Sequence, residues 1–442
     1  MSVKNPVDEE VKRASIAQIV TTCVIGAIIR CCLSFSKYQS IIANHVEIST
    51  PLNSWKRVSE GLYLLSNNIN PYSGDLLHET PFSLYIYRNV LRLFQGRIEY
   101  MFATVDVLTG MILFFSAKKY VEESYKEEIV NRHQYAKDVS SYLLKPDKIF
   151  LSPYYVLLAY LFNPFTVLSC VGYSTTVFHN FFLSAMLFSM VHGIAVICGI
   201  FLAICASISF YPFVLIVPGF LYFKNVHRSV VKALVSLKTF LAVSVLIVVM
   251  CTNYGKDFSY LSNVYGCILT VPDLQPNTGL FWYFFTEMFD HFRELFIFAF
   301  QINASVLYLI PLSIKFRKQP FLLTVAILTI ISIFKSYPSI GDVGFILSLL
   351  PCFRHLFRCS QQGFLVGVIM LISTSLAPIL WYLWIYCNSA NANFYFGVTL
   401  AFAIAQIFLL TDILFAQVKR EFVLKNGTEK KVDGEESLLY LE

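Results

Sequence analysis

Charge is what this chain has least of. Only 14% of its 442 residues are Asp, Glu, Lys or Arg, against about 25% in an ordinary soluble domain. Hydrophobic residues make up 56%. A soluble chain of this length splits into domains rather than enlarging one core, so a single soluble core cannot hide them. The bilayer is the remaining place to bury them. The net charge of +6 is small, and its basic residues do not gather on one soluble face with groove-sized elements, which argues against nucleic acid as a partner. No Cys-x-x-Cys pair occurs among the 11 cysteines, so a zinc site of that type has no support. Most of them, including Cys23, Cys198, Cys205, Cys251, Cys267 and Cys387, sit in apolar runs and read as small buried hydrophobes. There is no Gly-rich phosphate loop or Walker pattern, no serine, cysteine or histidine set of a hydrolase, and no internal repeat. No small-x-small cleavage site marks the stretch 16–36 as a signal peptide, and Arg30 follows closely, so it reads as a retained first helix.

What is present is a long succession of apolar runs. A spanning helix needs roughly 17–25 mostly apolar residues, and such stretches recur at 14–35, at 98–117 and almost without pause from 149 to 418. Prolines 164, 212, 218, 272, 311, 338 and 378 start or interrupt them. Broken helices are tolerated in membranes where neighbours or a cavity satisfy the freed backbone groups. The expected fold is all-α: a polytopic transmembrane bundle of about 12 spans. Basic clusters at the ends of runs, such as Lys118 with Lys119 and Lys419 with Arg420, mark the cytoplasmic side. That rule places the tail 1–13, the charged loop 118–148 and the tail 419–442 in the cytoplasm, around a membrane domain 14–418. The segment 36–97 is then lumenal. Trp55, Val58, Leu62 and Leu65 recur in it at helical spacing, as in a helix lying at the interface.

Few residues can carry chemistry. The segment 36–97 offers the acids Glu47, Glu60, Asp75 and Glu79, none in an Asp-x-Asp pair. Each reads either as a base or metal ligand or as an ordinary turn and helix-start acid. Asp106 lies within a span, and Asp342 opens another after Gly341. Intramembrane acids are functional hypotheses by default, with an interhelical polar lock as the plain alternative. Asp273 and Asn277 sit in a polar turn, followed by Glu287, Asp290, His291 and Glu294 on a helix expected over 281–300. The strip Ser389-Ala390-Asn391-Ala392-Asn393 separates two strongly apolar helices. Its carboxamides suit hydrogen bonds to a sugar or phosphate head group, or simply cap the helix that begins near Phe394. The run Phe281-Trp282-Tyr283-Phe284-Phe285 reads as an interfacial aromatic belt, a lipid-facing surface or the wall of an acyl-chain groove.

These strings carry a resemblance. Ser54-Trp55-Lys56-Arg57-Val58, Asn70-Pro71-Tyr72-Ser73-Gly74, His78-Glu79-Thr80-Pro81, the turn 273–277, Gly279 through Phe285, Phe334-Lys335-Ser336-Tyr337-Pro338 and Ser389 through Phe394 resemble the U-subunit family of the GPI transamidase. The match runs in order from about residue 14 to 420; the first 13 residues and the loop 118–148 resemble it least. A weaker likeness, through Pro71-Tyr72, Thr80-Pro81, Leu161 to Phe165 and Tyr211-Pro212, is to the GPI mannosyltransferases. The paired acid that family carries before its Pro-Tyr turn is absent here, where the chain reads Glu47-Ile48-Ser49-Thr50-Pro51-Leu52-Asn53-Ser54.

The resemblance implies a glycosyltransferase GT-C-like scaffold that has lost its catalysis and kept a lumenal cavity the size of a lipid-linked glycan. It implies a multi-pass protein of the endoplasmic reticulum membrane with no catalytic residue, cofactor or metal of its own. It also implies a subunit that helps recognise the GPI lipid or the attachment signal of the proprotein, beside a thiol-protease-like catalytic subunit and accessory membrane subunits. The residues it points to for lipid contact are Ser389, Asn391, Asn393, Asp273, Asn277, Phe281, Trp282 and Phe285, with Trp55, Tyr72, His78 and Glu79 as the lumenal-loop motif. The alternative is an active lumenal mannosyltransferase using a lipid-linked sugar, with Glu47, Asp75 or Glu79 as its base.

Overall fold

The computed structural model describes residues 13–255, 258–428, 431–432 and 435–436. The expected tail 1–13 falls almost wholly outside the described residues, as does most of the chain beyond 428. Apart from a two-residue antiparallel pair, Lys431–Val432 with Glu435–Glu436, the elements described are helices. Six of them are long and apolar enough to cross a membrane: Ile16–Ser34, Ile98–Gln134, Val230–Asn253, Asp290–Lys315, Gly363–Ile385 and Ala392–Asn426. The pair Pro146–Leu161 and Pro164–Val171, bent by 44°, forms a seventh if taken as one broken span. Shorter apolar helices cover Thr176–Val191, Ala195–Ser209, Leu261–Thr270 and Pro320–Phe334.

Local chemistry sets the ends of these helices. Ser15 Oγ accepts from the Gln18 N–H while Gln18 Oε1 accepts from the Ser15 N–H, a reciprocal cap that starts the first helix. Proline stands at the first position of Pro81–Leu93, Pro164–Val171 and Pro320–Phe334, where its missing N–H costs nothing. Asn163 precedes Pro164 and accepts from the Phe165 N–H at 3.0 Å, so the bend between the two half-helices is capped.

The helix Ile98–Asn131 runs through the middle of the molecule and packs against Thr176–Val191, Ser152–Leu161 and Ile16–Ser34. Pro320–Phe334 is buried at every position from Pro320 to Ile333. Two spans are tied by an ion pair deep in this core. Arg30 Nε donates to Asp106 Oδ2 at 2.5 Å, and the Tyr160 hydroxyl donates to Asp106 Oδ1 at 2.6 Å. Arg30 Nη1 also donates to the carbonyls of Gly26 and Leu161. Arg30 and Asp106 are wholly buried, and Asp106 spends both oxygens on neighbouring helices. It is the interhelical lock.

A turn-rich segment, residues 44–54, closes one end of the bundle. The Asn53 carbonyl accepts from the Thr175 N–H at 2.9 Å, and the Glu47 carbonyl accepts from the Ile340 N–H at 3.1 Å. Asn53 Nδ2 donates to Thr176 Oγ1 at 3.0 Å. The interface-helix pattern of 55–65 is a helix, Trp55–Ser66, with Trp55, Val58 and Gly61 buried against its neighbours.

Three expectations need correction. The helix expected to end near residue 117 continues to Asn131, because its polar extension carries compensating charges one turn apart, such as Lys119 Nζ to Glu123 Oε1 at 3.3 Å. The helix expected over 281–300 is two, Phe281–Thr286 and Asp290–Ser305. Phe289 adopts extended backbone at the break, and Glu287, Asp290, His291 and Glu294 are exposed rather than lined up on a buried face. Finally, Pro378 lies inside Gly363–Ile385 and does not end it.

Candidate functional site

The fold joins two strings that the sequence keeps 110 residues apart: the Tyr283 hydroxyl donates to Asn393 Oδ1 at 2.6 Å. Each side has a local reason. Asn391 is the N-cap of Ala392–Asn426, its Oδ1 accepting from the N–H groups of Asn393 and Phe394. That fixes the first turn of the helix and turns the Asn393 carboxamide toward Tyr283. Tyr283 stacks on Phe396 with ring centres 4.2 Å apart and planes 14° apart. Asn391, Asn393 and Ser389 are all exposed. Neither asparagine's Nδ2 has a hydrogen-bond partner among the described residues, so a ledge of carboxamide donors faces outward. Ser389 has its own local bond, Oγ to the Leu383 carbonyl at 3.4 Å.

Behind the ledge stands an aromatic wall. Trp282 lies within 6.0–6.3 Å of Trp384, Tyr395 and Phe396, and Trp381 is 5.2 Å from Tyr395, ring centre to ring centre. Each such pair adds about 0.5–1.5 kcal/mol beyond its area. The Trp282 indole N–H is buried with no partner among the described residues. The five aromatic residues of 281–285 therefore divide by helical spacing. Phe281 and Phe285, four residues apart, are fully buried against Phe300. They are core, and neither lines an outward groove. Trp282 and Tyr283 face the ledge helix. Behind the wall, the Tyr395 hydroxyl donates to Glu47 Oε1 at 3.4 Å. Burial pushes the Glu47 carboxyl up to about 7, against the opposing effect of that hydrogen bond.

The residues Trp55, Tyr72, His78 and Glu79 of the segment 36–97 occupy a second place. Tyr72 donates from its hydroxyl to the Glu79 carbonyl at 2.7 Å. His78 Nδ1 meets the Asn263 carbonyl at 2.7 Å, and burial lowers its affinity for a proton. Thr80, not Glu79, caps Pro81–Leu93. Glu79 instead points inward, with the Tyr87 hydroxyl 3.3 and 3.4 Å from its two oxygens. Burial pushes it up to about 7, with hydrogen bonds from Thr175, Ser83 and Tyr87 pulling the other way. Trp55 is buried at 5.2 Å from Phe102. Asp273 lies 3.4 Å from Arg57 Nη2 and caps its own turn through Gln275. Buried Asn277 does the same for Gly279, accepting at 2.7 Å. Both hold backbone in shape, and neither shares the Asn393 ledge.

Glu79 borders a polar cavity of about 50 Å³ lined also by Thr50, His179, Tyr211, Lys335 and Asp342. Lys335 Nζ is 2.6 Å from Asp342 Oδ2. Thr50 Oγ1 and His179 Nε2 are buried without partners among the described residues. Sequence reasoning passed over His179, a lone histidine in an apolar run, and Lys335; only the pairing of opposite charges in neighbouring runs would have found the latter. The expectation of a glycan-sized cavity fails here: about 50 Å³ takes a few waters or one small polar group, whereas ligand pockets span roughly 300–1,000 Å³. The 11 cysteines are free.

The chain matches the family model described as GPI transamidase subunit PIG-U over residues 24–402. It is 37% identical over 441 residues to the GPI-anchor transamidase component PIGU of Homo sapiens, covering 96% of this chain and 99% of that protein. It is 31% identical over 392 residues to the GPI transamidase component GAB1 of Saccharomyces cerevisiae, covering 88% and 91%, and 28% identical over 376 residues to the GAB1 homolog of Schizosaccharomyces pombe, covering 84% and 86%. A match of this length and continuity, carried on an all-helical membrane fold, makes the chain a member of the PIG-U family of GPI transamidase subunits.

Proposed function

We propose that this protein is a non-catalytic, multi-pass subunit of GPI transamidase in the endoplasmic reticulum membrane, and that the ledge of Asn391 and Asn393 receives the polar head of the GPI lipid. The observation that carries the reading is the Tyr283–Asn393 bond, which seats two exposed carboxamides against an aromatic wall. Carboxamides offer two donors and an acceptor that suit sugar hydroxyls and phosphate oxygens, and Trp and Tyr favour the interface where one end is wet and the other apolar. The same ledge suits the attachment signal of the proprotein, the other substrate of the complex. A thiol-protease-like subunit on another chain then performs the acyl transfer, and accessory membrane subunits complete the assembly. In this topology 36–97 and the ledge face the lumen, while 118–148 and the tail 419–442 face the cytoplasm. A catalytic role in sugar transfer is disfavoured by the small cavity at Glu79.

The test uses cells lacking the gene, restored with wild type or with Asn391→Lys plus Asn393→Lys. Full-length GPI accumulating beside an intact complex is the expected result. GPI stalled at an under-mannosylated step would instead make the protein a transferase. Since Asn391 is also a cap, Asn391→Ser serves as control: it keeps the cap and should preserve folding, while Asn391→Ala costs about 1 kcal/mol in thermal unfolding.

A further inference from the structure

A concave site of about 220 Å³ lies where the loop 118–148 enters the bent span, lined among others by Lys145, Lys148, Ser152, Arg354, His355 and Arg358. Four of these are cations, and none of the four is paired with a carboxylate among the described residues. No acid among the described residues lines the site. The arginines are held in place by aromatic rings. Arg358 stacks over the Tyr142 ring at 4.8 Å and donates to the Ser141 carbonyl at 3.1 Å; Arg354 stacks over Tyr155 at 5.3 Å. A cation over an aromatic face is oriented but remains free to bind an anion.

A second, independent observation points to a ligand. Ser152 Oγ and His355 Nδ1, both lining this site, are buried with no hydrogen-bond partner among the described residues, and Ser152 is completely enclosed. Burial, with Arg420 nearby, pushes the His355 imidazole down to about 3, so it is neutral and its Nδ1 needs a partner of its own. Buried polar atoms are normally satisfied. Four convergent cations and two unsatisfied buried groups together suit a multivalent oxyanion.

We infer that this site binds the phosphorylated head group of an anionic phospholipid, in the leaflet on the side of the basic loops. The position favours a lipid over a soluble phosphate. Ser152 begins a span-forming helix. Leu356 and Phe357, between the two arginines in sequence, line a separate cavity of about 570 Å³ with Phe364, Met370, Leu409 and Ile413, between the two long helices that follow. One turn thus presents cations on one side and an acyl-sized apolar cavity on the other. Basic residues at the anionic leaflet each strengthen binding by about fivefold.

The experiment titrates the purified full-length chain in detergent with dioctanoyl phosphatidylinositol, dioctanoyl phosphatidylcholine and inorganic phosphate. Phosphatidylinositol should bind at least about tenfold tighter than phosphatidylcholine and weaken with added salt. The exposed pair Lys145→Gln with Lys148→Gln, which holds no fold contact named above, should weaken it about 25-fold, and Lys145→Arg with Lys148→Arg should restore it. Equal affinity for the two lipids, or no change in the glutamine variant, would overturn the inference. So would phosphate competing at the affinity of the lipid, which would assign the site to a soluble anion.

Discussion

Buried acids outside the spans decide how this protein responds to pH. The folded chain holds a proton on Glu79 up to about 7, where an unfolded chain releases it near the ordinary 4.5. Between those values the folded state binds more protons than the unfolded one, so stability falls as pH rises, by up to about 3 kcal/mol in all. The Glu79→Gln variant should flatten the melting temperature between pH 4.5 and 7 and melt no lower than wild type above 7. A wild-type slope retained in the variant would show that Glu79 ionises freely. Glu47 behaves in the same sense and keeps part of the slope. At this scale the sequence was a partial guide. It marked Glu79, Asn391 and Asn393 by their rarity among apolar neighbours, but residue spacing cannot say that Thr80 takes over the cap and frees Glu79 to point inward. Nor can it divide 281–285 into two core phenylalanines, two ledge residues and an exposed Phe284, since that division depends on where the helix Asp290–Ser305 returns.

Among the helices, close packing depends on small residues more than on apolar area, as expected where lipid tails are as apolar as leucine. Ala195–Ser209 and Val230–Gly255 pack along their lengths. A Cβ at Gly199 would stand 2.6 Å from the Ser236 carbonyl oxygen and 2.8 Å from Thr239 Cβ. The Gly199→Leu substitution should therefore lower stability by about 1–3 kcal/mol, read as a lower melting temperature in detergent. Gly367→Leu, with nothing within 4 Å of its added Cβ, is the neutral control; equal losses in both would refute the packing argument. Most helices were readable as apolar runs, because a span must be apolar throughout. Their true ends were not. Ile98–Asn131 runs on through mixed charge, since paired charges override the local stop signals.

For the whole molecule, the basic-loop rule sets an orientation that chemistry can test. Cys387 is exposed, two residues past the end of Gly363–Ile385 and close in sequence to the ledge; Cys32 is the other exposed thiol. In a Cys32→Ser background, a membrane-impermeant maleimide should modify Cys387 in sealed microsomes only after the membrane is opened. Labelling without opening would put the ledge on the cytoplasmic face and remove it from any lumenal role. The sequence offers an orientation to test; the closing of the bundle by 44–54 it does not show, because its partners are far along the chain. The Glu47 carboxyl meets Tyr395 across 348 residues, and its carbonyl meets Ile340. At about 5–20 residues per second of synthesis, Glu47 emerges roughly 20–70 s before Tyr395 exists. During that interval a polar segment rests in or beside the membrane with its buried contacts unmade, so any nonsense codon before residue 340 yields a chain whose first third can never seal. Newborn chains of this protein are therefore committed to a prolonged wait before the segment 44–54 can find its partners.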